Sequence, residues 1–131
     1  MPSPIVIDAS ALVELLLQSP AATRIEEAIG DGDPIAPDIL NPEVVQSLRG
    51  LERGGTLTDE RATRALRRLT ESGIPRVPTR ALLFEAWSLR HNLSAYDACY
   101  VALARALRCP LLTMDGPLAR APHLGIPVVI V

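Results

Sequence analysis

Lysine is missing from this chain: all 13 basic residues are arginine. Chemistry that needs a side-chain amine is therefore excluded, both the Walker A phosphate loop and Schiff-base catalysis. Aromatic residues make up only 3% of the composition, too few for extensive stacking of nucleic-acid bases. There are two cysteines, Cys99 and Cys109, without the C-x-x-C spacing of a zinc site and too few for a disulfide framework. Thiols used this sparingly fit a reducing compartment. No apolar run approaches the roughly 20 residues that span a bilayer, and the N-terminus lacks the basic and apolar regions of a signal peptide. The expectation is a soluble, cytoplasmic protein that does not contact membranes.

What is present suits a globular fold. With 131 residues and 48% hydrophobic composition, the chain has enough apolar material for one core without covalent staples. No internal repeat, low-complexity tract or long linker divides it, so residues 1–131 are expected to form one domain. Net charge is −2, but its distribution is uneven. Residues 1–48 hold a single arginine against eight acids, whereas residues 49–90 hold nine arginines against five acids. A polyanionic ligand would meet both segments and would require something to offset the acidic one.

Short apolar runs alternate with longer helical patterns, the signature of a parallel sheet covered by helices on both faces. Strands are expected at 5–8, near 34–36, and at 74–78, 110–113 and 127–131. Helices are expected at 10–18, 21–29, 42–53, 59–71, 80–90 and 95–108, with a short turn after Asp115. Gly30, the Gly54–Gly55 pair and Gly73 fall where helix ends favour a left-handed residue, and Pro42 falls where a missing N–H is tolerated. The first helix, "ALVELLLQ", is apolar nearly all round, which implies burial on two sides or a surface awaiting a partner. In residues 59–71 the apolar positions 62, 65, 66 and 69 leave Arg61, Arg64, Arg67 and Arg68 on the other side. That face is either a solvated surface paired with acids or a contact for phosphates.

Asp8 ends the first apolar run, "IVID", immediately before a helix. A central parallel strand is buried on both faces, so its C-terminal end is the first place where a charged side chain meets solvent or ligand. Glu43 in the first turn after Pro42, Asp97 in the first turn of "SAYDACYVALARAL" and Asp115 after "LLT" occupy equivalent places. Each has an ordinary structural use as a helix cap, dipole partner or turn former. In a parallel sheet, however, strand C-termini and the helix N-termini that follow share one edge, so the four acids are expected to converge. Bare carboxylates about 4 Å apart repel by roughly 1 kcal/mol even in water, which calls for a cation. An all-oxygen set beside the hydroxyls of Ser10 and Thr113 suits Mg²⁺ or Mn²⁺.

The segments "IVIDASAL", "NPEVVQSL", "LSAYDACYVALARAL" and "PLLTMD", in that order, resemble the PIN domain family, and within it the VapC type of toxin ribonuclease from type II toxin–antitoxin modules. The likeness runs through nearly the whole chain. It implies a three-layer α/β/α, Rossmann-like fold with a five-stranded parallel sheet of order 3-2-1-4-5. It also implies an acidic pocket of Asp8, Glu43, Asp97 and Asp115, with Ser10 and Thr113 in support, holding one or two Mg²⁺ or Mn²⁺ ions. The implied activity is endonucleolytic hydrolysis of RNA, leaving a 5′-phosphate and a 3′-hydroxyl, with no nucleotide cofactor. The implied partners are a cognate antitoxin and a second copy of the chain in a homodimer. Charge alone nominates Arg61, Arg64, Arg67, Arg68, Arg80 and Arg90 for RNA backbone contacts, and Tyr96 is the aromatic nearest the acids.

Two rivals remain within the fold: a PIN nuclease of RNA processing or quality control, and a non-catalytic PIN-like interaction module. Phosphatases and receiver domains also place acids at a sheet edge, but their familiar schemes use a lysine, which this chain lacks.

Overall fold

The computed structural model describes residues 3–131. Five strands form one parallel sheet: β1 (Pro4–Ile7), β2 (Asp33–Pro37), β3 (Arg76–Val77), β4 (Leu111–Thr113) and β5 (Val128–Ile130). Their order is β3-β2-β1-β4-β5, as the resemblance implied. β1 occupies the centre, pairing Val6 with Ile35 of β2 and with Leu111 of β4. This position explains its composition. A strand flanked and covered on both faces has no solvent side, so Ile5, Val6 and Ile7 are all buried instead of alternating.

The connections are helical: α1 (Ala9–Leu17) and α2 (Ala22–Ile29), α3 (Leu40–Arg53) and α4 (Asp59–Glu71), α5 (Leu83–Ser88) and α6 (Ala95–Leu107), and α7 (Gly116–Arg120). α1 packs against α2, α3 and α4, and α6 packs against α5 and against β1, β2 and β4. In α6 the seven residues from Ala98 to Ala104 are buried consecutively. That is possible because small side chains at 98, 102 and 104 let the helix lie between strands and neighbours. The apolar first helix is accounted for in the same way, since Ala9, Ala11, Leu12, Val13 and Leu16 are buried within the fold. The chain winds from β1 through β2 to β3 on one side and then crosses to β4 and β5 on the other, all strands parallel, so the crevice at the C-terminal ends of β1 and β4 is the switch point of the sheet.

Local differences from the sequence expectation have physical causes. α3 begins at Leu40, not at Pro42, because the first turn has no intrahelical use for its N–H groups and proline fits anywhere within it. β3 contains only two residues, since Pro75 and Pro78 flank it and cannot donate to the ladder. The expected helix at 80–90 is split: a 3₁₀ turn at Thr79–Leu82 leads into α5, and Arg90 lies beyond the helix. Asp38 fixes the turn by accepting from the Thr79 N–H at 3.1 Å. Gly30 and Gly55 do adopt positive φ, but α4 ends on an extended Ser72, so Gly73 is not a left-handed cap. α1 and α6 instead end on left-handed Gln18 and Arg108, where each residue's own N–H closes onto the last turn.

Truncating the central strand should be severely destabilising. Ile7→Ala, at a side chain with no solvent exposure, is expected to cost about 2–5 kcal/mol in urea unfolding with little change in m-value.

Candidate active site

Four segments that are far apart in sequence end at the switch point, and each delivers one acid. Asp8 caps α1, accepting from the Ala11 N–H at 3.1 Å. Glu43 lies in the first turn of α3. Asp97 lies in the first turn of α6, whose N-cap is Ser94. Asp115 caps α7, accepting from the Leu118 N–H at 3.1 Å. All four line a single pocket of about 220 Å³, together with Ser10, Gln46, Ser47 and Tyr100. The structural and functional uses of these acids are therefore compatible. A helix N-terminus carries partial positive charge, and here four of them offset carboxylates that face the same cavity.

Asp8 is the most heavily supported. It is only 5% exposed, and both of its oxygens are occupied. Oδ1 accepts from Ser10 Oγ at 2.7 Å and from Ala11 N, while Oδ2 accepts from the Thr113 hydroxyl. Each hydroxyl in turn accepts a backbone N–H from the segment after β4: Met114 N reaches Ser10 Oγ at 3.0 Å and Asp115 N reaches Thr113 Oγ1 at 2.9 Å. Since each hydroxyl has one proton and gives it to Asp8, the 3.3 Å approach between them is a contact within the cluster. Through this relay the end of β1 is locked to the end of β4. Thr113 lies behind the pocket wall and acts on the site through Asp8.

Glu43 has a partner that sequence reasoning overlooked. The Tyr100 hydroxyl donates to Glu43 Oε1 at 2.6 Å, and Tyr100 is almost fully buried. The signal was available, because Tyr100 is three residues after Asp97 and so shares its helix face. Tyr96, the aromatic singled out from sequence, is 59% exposed and does not line the pocket. Gln46 and Ser47 were also missed; they follow Glu43 by three and four residues on α3, on the same face.

The electrostatics are those of crowded anions. Burial pushes the Asp8 carboxyl above its usual range, with hydrogen bonds from Thr113, Ser10 and Ala11 opposing and the charge of Asp115 adding to the rise. Glu43 is raised by burial, opposed by Tyr100 and reinforced by Asp97 and Asp8. Asp97 is raised by burial and then by Asp115 and Asp8, against a hydrogen bond with Ser94. The Tyr100 hydroxyl is pushed far up by its burial and by Glu43, so it remains a donor.

The arginines are placed elsewhere. Arg61 and Arg68 donate to the carbonyls of Leu17 and Leu16 at 3.4 and 2.6 Å, at the opposite end of α1 from Asp8. With Arg64 they line a separate depression. None of these three is ion-paired: among the described residues the one ion pair joins Arg105 to Glu85. Arg67 is exposed on α4 and is absent from that depression. Arg80 is exposed on the 3₁₀ turn after β3, and Arg90 stacks on Trp87 with its guanidinium 4.3 Å from the ring centroid.

The donor chemistry fits a hard divalent cation, for the pocket presents only oxygen ligands and three of its acids resist ionisation. Among the described residues no three acids are already drawn around one point closely enough to hold an ion as they stand. The ligand types and the shared cavity are what fit such an ion.

A stability profile tests the crowding. A carboxyl whose pKa is raised by folding favours the native state fully below the ordinary carboxylate range, and this support is lost as pH climbs through the raised value. Asp97→Asn is therefore expected to melt at a higher temperature than wild type at pH 7, with the gap closing as pH falls toward 4. An unchanged gap across that window would show that folding does not raise the Asp97 carboxyl.

Comparison with known proteins follows the same lines. The PIN domain family model matches residues 5–124. Ribonuclease VapC1 of Mycobacterium tuberculosis is 40% identical over 121 residues, covering 91% of each chain. Ribonuclease VapC9 of the same organism is 35% identical over 127 residues, covering 97% of this chain and 98% of its own. In fold, the chain is similar to a chain in the crystal structure of VapBC2 from Rickettsia felis bound to a promoter DNA fragment, with a TM-score of 0.68, 14% identity and 98% coverage of both. A family match over almost the whole length, close relatives named VapC ribonucleases and the 3-2-1-4-5 sheet with acids at its switch point agree: this chain belongs to the PIN domain family, in its VapC branch.

Proposed function

We propose that this protein is a metal-dependent endoribonuclease, the toxin of a type II toxin–antitoxin pair, kept inactive by a cognate antitoxin. The single observation that carries the reading is the convergence of Asp8, Glu43, Asp97 and Asp115 on one pocket. The ribonuclease names of the VapC relatives support the reaction class, and the paired VapBC2 assembly of the structural neighbour supports an antitoxin partner.

Asp8, Asp97 and Asp115, with Glu43, would hold Mg²⁺ or Mn²⁺, which when bound would supply Lewis-acid polarisation of the phosphate and a more acidic water. Asp8 is the fixed member, because Ser10, Thr113 and Ala11 allow it little rotation. Glu43, steered by the Tyr100 hydroxyl, takes the proton from the attacking water. The water oxygen bonds to phosphorus as the P–O3′ bond breaks, the proton held by Glu43 passes to the departing 3′-oxygen directly or through solvent, and the products carry a 5′-phosphate and a 3′-hydroxyl. No side-chain nucleophile is required. Ser47, on the α3 wall of the pocket, hydrogen-bonds the phosphate or ribose. Arg61, Arg64, Arg67 and Arg68, and more distantly Arg80 and Arg90, contact RNA backbone. No nucleotide cofactor takes part. Residues 1–131 act as one domain in the cytoplasm.

The wild-type chain should cleave single-stranded RNA with Mg²⁺ or Mn²⁺ and lose activity with a chelator. Asp97→Asn should reduce cleavage by about 100-fold or more and abolish the metal-induced rise in Tm that wild type shows. Equal cleavage by wild type and variant, with no thermal response to metal, would defeat the assignment.

The homodimer has a candidate surface on α5 and the start of α6, where Phe84 is 93%, Trp87 65%, Tyr96 59% and Leu83 57% exposed. Large apolar side chains this open to water favour burial against a partner. Sedimentation should show a dimer for wild type and a monomer for Phe84→Ser/Trp87→Ser; a wild-type monomer at micromolar concentration would remove this part of the proposal.

A further inference from the structure

Beside the acidic pocket lies a second depression of about 430 Å³. The two share Ser10, Gln46 and Ser47, so one continues the other. Its walls are α1 and α3, the helices that begin at the acids. Val13, Leu51 and Met114 supply its apolar lining. Its polar groups are the Glu14 carboxylate, the Gln46 amide and the hydroxyls of Ser10 and Ser47.

Gly50 is the unusual member. A glycine inside a helix lowers its stability relative to alanine, and nothing in the structure requires one here. Its φ is not positive, and a Cβ placed on it would meet nothing within 4 Å. What the missing side chain leaves is width in the slot.

The stripe of α1 that forms one wall extends further. Ser10, Val13, Glu14, Leu17 and Gln18 recur at i, i+3, i+4, i+7 and i+8 on one helix face. Leu17 and Gln18 line the depression whose opposite wall is Arg61, Arg64 and Arg68. From Ser10 to Gln18 the helix rises about 12 Å. One helix face therefore leads from the carboxylate pocket, through an apolar slot, to three guanidiniums without acidic partners. The order of surfaces matches the repeat of a polynucleotide: phosphate, flat base, phosphate.

Resting on the ribonuclease reading, we propose that the slot between α1 and α3 receives and reads the RNA base next to the bond being cut, while Arg61, Arg64 and Arg68 hold the backbone beyond it. The base packs on Leu51 and Met114, and Gly50 sets how large a ring enters. No aromatic side chain lines the slot, so recognition is by shape and by the base edge instead of stacking. The Gln46 amide donates and accepts, whereas the Glu14 carboxylate only accepts. An acceptor there favours a base with an exocyclic amine, adenine, cytosine or guanine, over uracil.

The test is metal-dependent cleavage of an RNA hairpin with a randomised single-stranded loop, read by sequencing the products. Wild type should cut with an amine-bearing base preferred over uracil at one position flanking the break. Gly50→Ala, Gly50→Leu and Gly50→Phe should lower kcat/KM progressively, tenfold or more for Phe, and flatten that preference, and Glu14→Gln should admit uracil. All four should retain the metal-induced rise in Tm, which reports an intact fold and acidic pocket. If Gly50→Phe does not fold, Gly50→Ala and Glu14→Gln still decide the question. A folded Gly50→Phe with wild-type rate and base preference, or a wild type indifferent to every flanking base, overturns the proposal and leaves the slot to a protein segment. A wild type that cleaves no RNA with either metal defeats the ribonuclease reading, and this proposal with it.

Discussion

Like charges brought together in a pocket that excludes part of the surrounding water must be compensated, and much of this fold can be understood as that compensation. Burial and mutual repulsion raise the carboxyls of Asp8, Glu43 and Asp97. Against this, the chain places each acid at the N-terminus of a helix, where backbone dipoles favour negative charge. It surrounds the most buried acid with three donors and gives Glu43 the proton of Tyr100. The remaining imbalance is what a divalent cation would neutralise. Marginal electrostatics at the site and affinity for a metal are thus two descriptions of the same arrangement.

Asp8 shows how stability and function share one side chain. Its backbone ends the central strand, its carboxylate starts α1, and through Ser10 and Thr113 it couples the end of β1 to the segment after β4. The strand it follows is buried on both faces, so the cluster cannot shift without disturbing the core. Asp38 is a useful contrast. It stands at the end of β2 on the same sheet edge, yet its carboxylate is engaged with the Thr79 N–H and does not line the pocket. Position at a strand C-terminus is therefore insufficient; the acid must also lie at the switch point, where no crossover covers it.

Several features could be read from residue order. The unbroken apolar runs identified buried parallel strands, and the placement of Asp8, Glu43, Asp97 and Asp115 after strands or in first helical turns led to the pocket. Tyr100 was legible as well, through its i+3 relation to Asp97, whereas Tyr96, adjacent to Asp97 in sequence, faces away from the pocket. Other features depended on contacts between distant segments. That Arg61 and Arg68 would be drawn to the carbonyls of Leu16 and Leu17 follows only from how α4 crosses α1. Composition alone marked their helix as basic without saying what it faces. The short β3 and the split at Thr79 reflect prolines and an Asp38 contact whose effects depend on neighbouring chain.

Sequence by itself determined which segments would be strands or helices and which side chains could act as acids, because burial periodicity, helix N-terminal preference and residue chemistry are local properties. Tertiary structure decided which of those acids would meet, which hydroxyl or phenol would hold each one, and that the arginines would gather at the far end of α1. Those outcomes depend on the order and crossing of elements far apart in the chain, 105 residues in the bond from Thr113 to Asp8, and no short-range pattern encodes a distance of that kind.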